Sequence, residues 1–138
     1  MLFRSAGLIR AVLEGVSYSL KDCLEILREL GIAVKAVRAS GGGARSPFWR
    51  QMLADVFEKP IATLATQEGS AYGVALLAMV GTGQFASVPE ACHAAIREVS
   101  RLDPQPDAAR AYAARYPIFR SLYPALRDRF QAIGALRS

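Results

Sequence analysis

The sequence predicts an α/β fold that is predominantly helical with few strands. Three observations carry this. Residues 5–31 form one long amphipathic run. A short Ala- and Val-rich stretch follows and passes directly into glycines and a helix start. Only one further strand-like stretch, 61–65, appears in the 138 residues.

In the first run, apolar residues fall at Ile9, Val12, Leu13, Val16, Leu20, Cys23, Leu24 and Leu27. Steps of three and four place them on one helical stripe. Ser5 is placed to cap the start, and Gly31 to end the helix in a left-handed conformation. Gly15 inside the helix costs propensity and is expected to permit close packing. Residues 32–39 read as a buried strand. Ser46 as N-cap and Pro47 at the first helical position open the next helix, with Phe48, Trp49, Met52, Leu53 and Val56 as its apolar stripe. Lys59-Pro60 breaks it. Residues 69–81 read as a helix apolar nearly all round, hence buried on several sides, with Gly69 and Gly73 leaving a smooth face. Ser87 and Glu90 fit a capping box opening a helix that carries Cys92, Ala95, Ile96 and Val99. Pro104 and Pro106 mark a loop. The remainder, from about Asp107, reads as helical with interruptions at Pro117 and Pro124.

Composition limits the function. Hydrophobic residues make up 52% and charged residues 21%, which suits a globular chain. The longest nearly apolar stretch, Ala71–Val80, is about half a membrane-spanning helix, so no membrane partner is expected. The first residues do not resemble a secretory signal, and the expected location is cytoplasmic. Two distant cysteines, Cys23 and Cys92, and the single histidine, His93, argue against a zinc site or disulfide framework, so no metal-binding residue is assigned. The cysteines read as buried or partly buried thiols and His93 as a surface residue. The net charge is +5, and from Arg97 onward eight arginines face four acids. Acids are interspersed and no aromatic–basic platform appears, so a solvated helical face is preferred to a nucleic-acid surface.

The most informative segment is the strand, glycine turn and helix start over residues 34–55. Glycines after a strand let backbone approach a ligand closely. The helix that follows offers unpaired N–H groups and the positive end of its dipole, which suits polar groups of a nucleotide. It is neither a P-loop, since no G-K-S/T follows, nor a G-x-G-x-x-G dinucleotide turn. On spacing alone, a tight turn without ligand is an equal reading.

The run Ser40-Gly41-Gly42-Gly43-Ala44-Arg45-Ser46-Pro47-Phe48-Trp49-Arg50-Gln51-Met52-Leu53-Ala54-Asp55 closely resembles the adenosine-binding motif of the FGGY carbohydrate kinases, in the form GGGA(K/R)SPxWRQxxAD found in the xylulokinases. Arg10-Ala11-Val12-Leu13-Glu14-Gly15-Val16 resembles the family's RAVLEGV helix. Residues 68–78 resemble its E-G-x-A-x-G-A-A-L-L-A helix, and residues 116–133 its closing helix of tyrosines and prolines. The resemblance spans all but about the first five residues. It implies the second domain of an actin-like (RNase H-like) ATPase, truncated, with residues 1–138 as a C-terminal nucleotide-binding domain. It further implies that the N-terminal sugar-binding domain and the start of this domain are absent.

By the same resemblance ATP is the cofactor, with Gly41, Gly42, Gly43, Ala44, Arg45 and Ser46 as binding residues. Gly42, Gly43 and Ala44 line the adenine and ribose, and Ser46 lies at the adenine edge. Arg45 either covers the base or is solvated. Trp49 reads as core, and Asp55 as a solvated or cap-bonding acid. The implied activity is transfer of the ATP γ-phosphoryl group to a sugar hydroxyl, with D-xylulose as acceptor. Ribulose, gluconate or glycerol kinases, or a noncatalytic helical or nucleic-acid-binding module, are the alternatives. Mg²⁺ is expected in a complete enzyme, but no residue here is assigned to it. The family's catalytic aspartate lies in a Gly-Asp loop, and no Gly-Asp dipeptide occurs in this sequence. No catalytic residue is therefore assigned. Glu14, Asp22, Glu25 and Glu29 read as a solvated helical face. The isolated chain is expected to be inactive, to meet its sugar only through the missing domain, and to be capable of homo-oligomer formation through exposed apolar surface.

Overall fold

The computed structural model describes residues 5–65 and 69–136. Helix α1 (Ser5–Glu29) ends where Gly31 adopts φ +76°. Residues 32–36 lie outside the sheet, and strand β1 is only Val37–Ala39. The expected strand over 32–39 is shortened because β1 can form a ladder only where its neighbour exists: Val37 is in register with Ile61. A 3₁₀ turn (Gly42–Arg45) leads into α2 (Pro47–Phe57), and β2 (Ile61–Leu64) follows. Then come α3 (Gly69–Gly81), α4 (Val88–Ala95), β3 (Glu98–Leu102) and α5 (Pro106–Ala135). The sheet order is β1-β2-β3, with β1 and β2 parallel and β3 antiparallel to β2.

Strand β3 is absent from the sequence expectation. The helix opened by Ser87 stops at Ala95, and Val99 lies in β3 rather than on a helical face. Apolar residues at 92, 96 and 99 fit a helical step, yet the chain gains more by pairing with β2, which otherwise has an open edge. At the start of α4, Ser87 accepts a bond from the Glu90 N–H at 3.4 Å, while the Glu90 carboxylate accepts from the Ala86 N–H at 2.9 Å.

The core centres on α2, buried continuously from Met52 to Phe57 between the sheet and helices α1 and α5. Phe48, assigned to the apolar stripe, is instead exposed. Asp55 is buried; its Oδ1 accepts from Gln51 Nε2 at 2.9 Å and from the Gln105 N–H at 2.7 Å. Gln105 is the N-cap residue of α5 and makes no side-chain cap of its own, so Asp55 caps that helix from outside.

Helix α1 packs through only part of its predicted stripe: Leu13 and Leu24 lie against the core, and Leu27 is half-buried. Ser17, Tyr18 and Lys21 are its buried residues, while Ile9 and Val12 are 61% and 59% exposed. Tyr18 decides the rotation: its ring meets Tyr112, Tyr116 and Phe119 of α5 at centroid distances of 6.1, 5.8 and 5.1 Å. Lys21 is tolerated in that seam because its Nζ reaches Glu58 Oε1 at 2.8 Å and lies 4.9 Å from the Tyr116 ring centroid. Glu14 and Asp22 turn toward α5 rather than forming a solvated face with Glu25 and Glu29. Glu14 accepts from Tyr112, and Asp22 from Tyr116. Gly15 has open space around it, so close packing is not its role.

Helix α5 runs unbroken through Pro117 and Pro124, contrary to the expected interruptions. Each proline removes one helical hydrogen bond. Around Pro117, the contacts of Tyr112, Tyr116 and Phe119 with Tyr18 hold the helix on both sides. Helix α3 was expected to be buried on several sides, yet Leu76 is its one buried residue. Cys23 is exposed rather than buried, and Cys92 is half-buried.

Candidate functional site

Strands β1 and β2 end side by side at Ala39 and Leu64, because they are parallel and in register from Val37 and Ile61. The C-terminal edge of a parallel pair is where α/β folds leave a crevice for ligands. Here the chain leaving β1 makes its glycine turn over that edge. Gly41 takes φ +82° and ψ −173°, a region open essentially to glycine alone. The Ala44 N–H then donates to Gly41 O at 3.2 Å and the Ser46 N–H to Gly43 O at 3.1 Å, which closes the turn. Ser46 begins α2: its hydroxyl accepts from the Trp49 N–H at 3.3 Å, with Pro47 in the first turn.

Beneath the turn lies a cavity of about 480 Å³. Its walls are Ser40, Gly41, Ala44 and Arg45 from the turn and Ala39, Leu64 and Ala65 from the strand ends. Arg50, Thr63 and Val99 complete it. Gly41, Ala44 and Arg45 thus come together at one cavity. Gly42 is exposed, Ser46 serves the helix cap, and the Cβ position of Gly43 points at Trp49; none of these three is among the residues lining the cavity. A Cβ on Gly43 would lie 1.9 Å from Trp49 Cζ3, so glycine is needed there for the indole to pass. Trp49 is packed against the core, and its Nε1–H donates to Ser17 Oγ at 3.3 Å.

A second cavity, about 370 Å³, adjoins the first at Ser40 and Leu64. Gly69 and Gly73 line it, so the small-residue face of α3 opens onto a groove rather than onto packed backbone. Sequence reasoning missed Arg50, Thr63 and Ser100. The Arg50 guanidinium donates to Ser100 Oγ at 2.7 Å, and the Thr63 and Ser100 hydroxyls are 2.6 Å apart. Arg50 stands inside the quoted motif, whereas Ser100 becomes its partner only once β3 forms. Arg45 and Arg50 bring positive charge to the cavity, and no carboxylate is among its described lining residues. That donor set suits an acceptor-rich or anionic organic ligand better than a divalent cation, which is held chiefly by carboxylates.

Displaced acid–base equilibria belong to the α1–α5 seam. Burial, reinforced by the hydrogen bond to Asp22 Oδ1 at 2.5 Å, holds the Tyr116 hydroxyl well above the usual phenol range. Burial, then the charge of Glu14, raises Tyr18 and Tyr112 in the same direction. The Arg10 guanidinium is raised chiefly by its bond to Glu14.

Residues 2–82 match the model of the FGGY family of carbohydrate kinases, C-terminal domain. The chain belongs to the FGGY family of carbohydrate kinases. It is 33% identical over 129 residues to the xylulose kinase of Bacillus subtilis (strain 168), covering 94% of this chain and 26% of that one. It is 34% identical over 135 residues to the gluconokinase of the same organism, covering 97% and 26%. In three dimensions it is similar to the crystal structure of xylulose kinase from Rhodospirillum rubrum, with TM-score 0.81 and 33% identity over 95% of this chain and 27% of that chain. The FGGY chain therefore spans about a quarter of the length of these relatives. Glu68, the first residue of the third family-like segment, lies outside the described residues.

Proposed function

We propose that this FGGY chain is the adenine-nucleotide-binding part of a sugar kinase, and that the cavity beneath the glycine turn receives the nucleotide. The observation that carries the reading is the meeting of Gly41, Ala44 and Arg45 with the ends of two parallel strands around one cavity. Gly41 brings backbone close to the ligand, and Arg45 adds charge at the exposed rim. The mostly helical architecture with its small mixed sheet supports assignment to the second domain of an actin-like ATPase, with 1–138 as a truncated C-terminal nucleotide-binding domain. The activity of the whole kinase is transfer of the ATP γ-phosphoryl group to a sugar hydroxyl in the cytoplasm. D-xylulose is the preferred acceptor, on the form of the glycine motif; gluconate is the second reading, on the similarity to gluconokinase. ATP supplies the transferable phosphoryl group when bound. The residues here hold its adenosine end, exclude water from one side of it and fix its orientation.

Phosphoryl transfer depends on positioning and on charge stabilisation at the transferred group. No described residue lining the cavity is an acid able to receive the sugar proton. This chain alone is therefore inactive in the proposal. Acids offset part of the positive charge of α5: Arg110 pairs with Asp107, Arg120 with Asp22 and Arg127 with Asp128. This supports a nucleotide function over a nucleic-acid one.

Calorimetric titration of the full chain with AMP, ADP and ATP tests the site. Weak binding of similar strength for all three is expected, since the adenosine end makes the contacts. Tight, magnesium-dependent ATP binding far exceeding that of AMP, or no binding of any, contradicts it. In a coupled ADP-release assay with D-xylulose and gluconate the chain gives no turnover; sugar-dependent turnover would refute the proposed division of labour.

A further inference from the structure

We infer that Arg50 is a positioning residue for the nucleotide cavity, holding the helix that follows the glycine turn at a fixed distance from the opposing strand ends. The inference rests on the nucleotide reading of that cavity. Arg50 stands one turn into α2, whose N-cap Ser46 closes the glycine turn. Its Nη1–H donates to Ser100 Oγ at 2.7 Å and to Thr63 Oγ1 at 3.4 Å. Thr63 and Ser100 are register partners on β2 and β3, and the ladder is irregular immediately after, between Thr63 and Leu64. One guanidinium therefore ties together α2, β2 and β3 at the place where the ladder alone is weakest.

Two further observations support a role beyond simple stability. Arg50 lines the cavity, so the tie forms part of the site itself. Its Nε is buried and has no hydrogen-bond partner among the described residues. A buried unpaired donor costs folding free energy, and such costs are retained most readily at functional sites. A planar, multidentate guanidinium holds two hydroxyls at once in a fixed geometry, which a lysine ammonium does less well. The turn's own bonds, Ala44 N–H to Gly41 O and Ser46 N–H to Gly43 O, fix its internal shape. Arg50 fixes its distance from Leu64 and Ala65 across the cavity.

The experiment uses the full chain with Arg50→Met, Arg50→Lys, and the paired change Thr63→Val with Ser100→Ala. AMP affinity is read by calorimetry, and exchange of the Ala44 and Ser46 amides by hydrogen-exchange NMR. Arg50→Met should weaken AMP about tenfold, equivalent to about 1.4 kcal/mol, and should speed exchange at both amides. Arg50→Lys should recover part of each. The paired hydroxyl variant, which keeps the cation and removes its anchors, should reproduce the Arg50→Met pattern even if Arg50→Met itself fails to fold. Wild-type AMP affinity and wild-type exchange in the hydroxyl variant would overturn the inference. A wild-type chain that binds no AMP defeats the nucleotide reading instead. In that case the exchange data still decide: faster exchange at Ala44 and Ser46 upholds positioning of the turn by Arg50, and unchanged exchange overturns it.

Discussion

Gly43→Ala isolates the packing role of the glycine turn from its proposed ligand role. The added methyl would lie 1.9 Å from Trp49 Cζ3 and 2.5 Å from Cε3, far inside contact distance. Relief requires the indole or the turn to move. The indole is held by its packing on the core and by the bond from Nε1 to Ser17 Oγ at 3.3 Å. Overpacking of this kind costs about 1–3 kcal/mol, and losing the indole bond adds about 1 kcal/mol. At roughly 4 °C per kcal/mol for a chain of this size, the melting temperature should fall by on the order of 10 °C. Gly42→Ala is the control: its Cβ would meet nothing within 4 Å, and Gly42 is not among the positive-φ glycines. It should melt within roughly 2 °C of the parent, as surface changes do. Thermal denaturation by circular dichroism measures both, and Trp49→Leu with and without Gly43→Ala completes the cycle. In the leucine background the alanine should cost clearly less. Equal melting of the Gly43 and Gly42 variants, or an alanine cost unchanged by Trp49→Leu, would refute the reasoning. A bulky residue at Gly43 is consequently a poor probe of nucleotide binding, because lost binding would follow from lost packing.

Two more outcomes follow from the helices. The hydroxyls of Tyr18, Tyr112 and Tyr116 are raised in the fold, above the ordinary phenol value of about 10 that applies to the unfolded chain. The unfolded state therefore loses these protons first, and their stabilisation, complete below about pH 10, is lost as pH rises beyond it. Tyr116→Phe should cost about 1 kcal/mol at neutral pH and make the alkaline decline shallower in denaturant titrations; an unchanged slope would exclude Tyr116 as a contributor. The exposed Leu8, Ile9 and Val12 of α1, with Val74 and Leu77 of α3, leave apolar surface of the kind that drives association. Light scattering should show mass rising with concentration, and Val12→Lys should reduce it. A monodisperse monomer at every concentration would count against this.

Local chemistry alone was sufficient for several features. Ser46 and Pro47 start α2, Gly31 ends α1 in the left-handed region, and the glycine turn follows a strand, because caps, prolines and glycines act on the residues beside them. The family-like run from Ser40 to Asp55 was readable for the same reason: its residues are consecutive. Tertiary packing decided what local pattern left degenerate. Helix α1 had an apolar stripe, yet Tyr18 meeting three α5 rings set the buried face, and no periodicity within α1 encodes its partner. Val99 fits the helical step of Cys92 and Ile96 until the open edge of β2 makes pairing the better outcome. Pro117 would end an isolated helix, but contacts on both sides carry α5 through it. Gly43 looked like a ligand contact, and only the position of Trp49, six residues on and folded back over the turn, revealed a packing constraint. The cavity combines both kinds of information. Its turn was legible as sequence, while the hydroxyl pair that anchors Arg50 came from strands 37 residues apart, which only the assembled sheet brings within hydrogen-bonding distance.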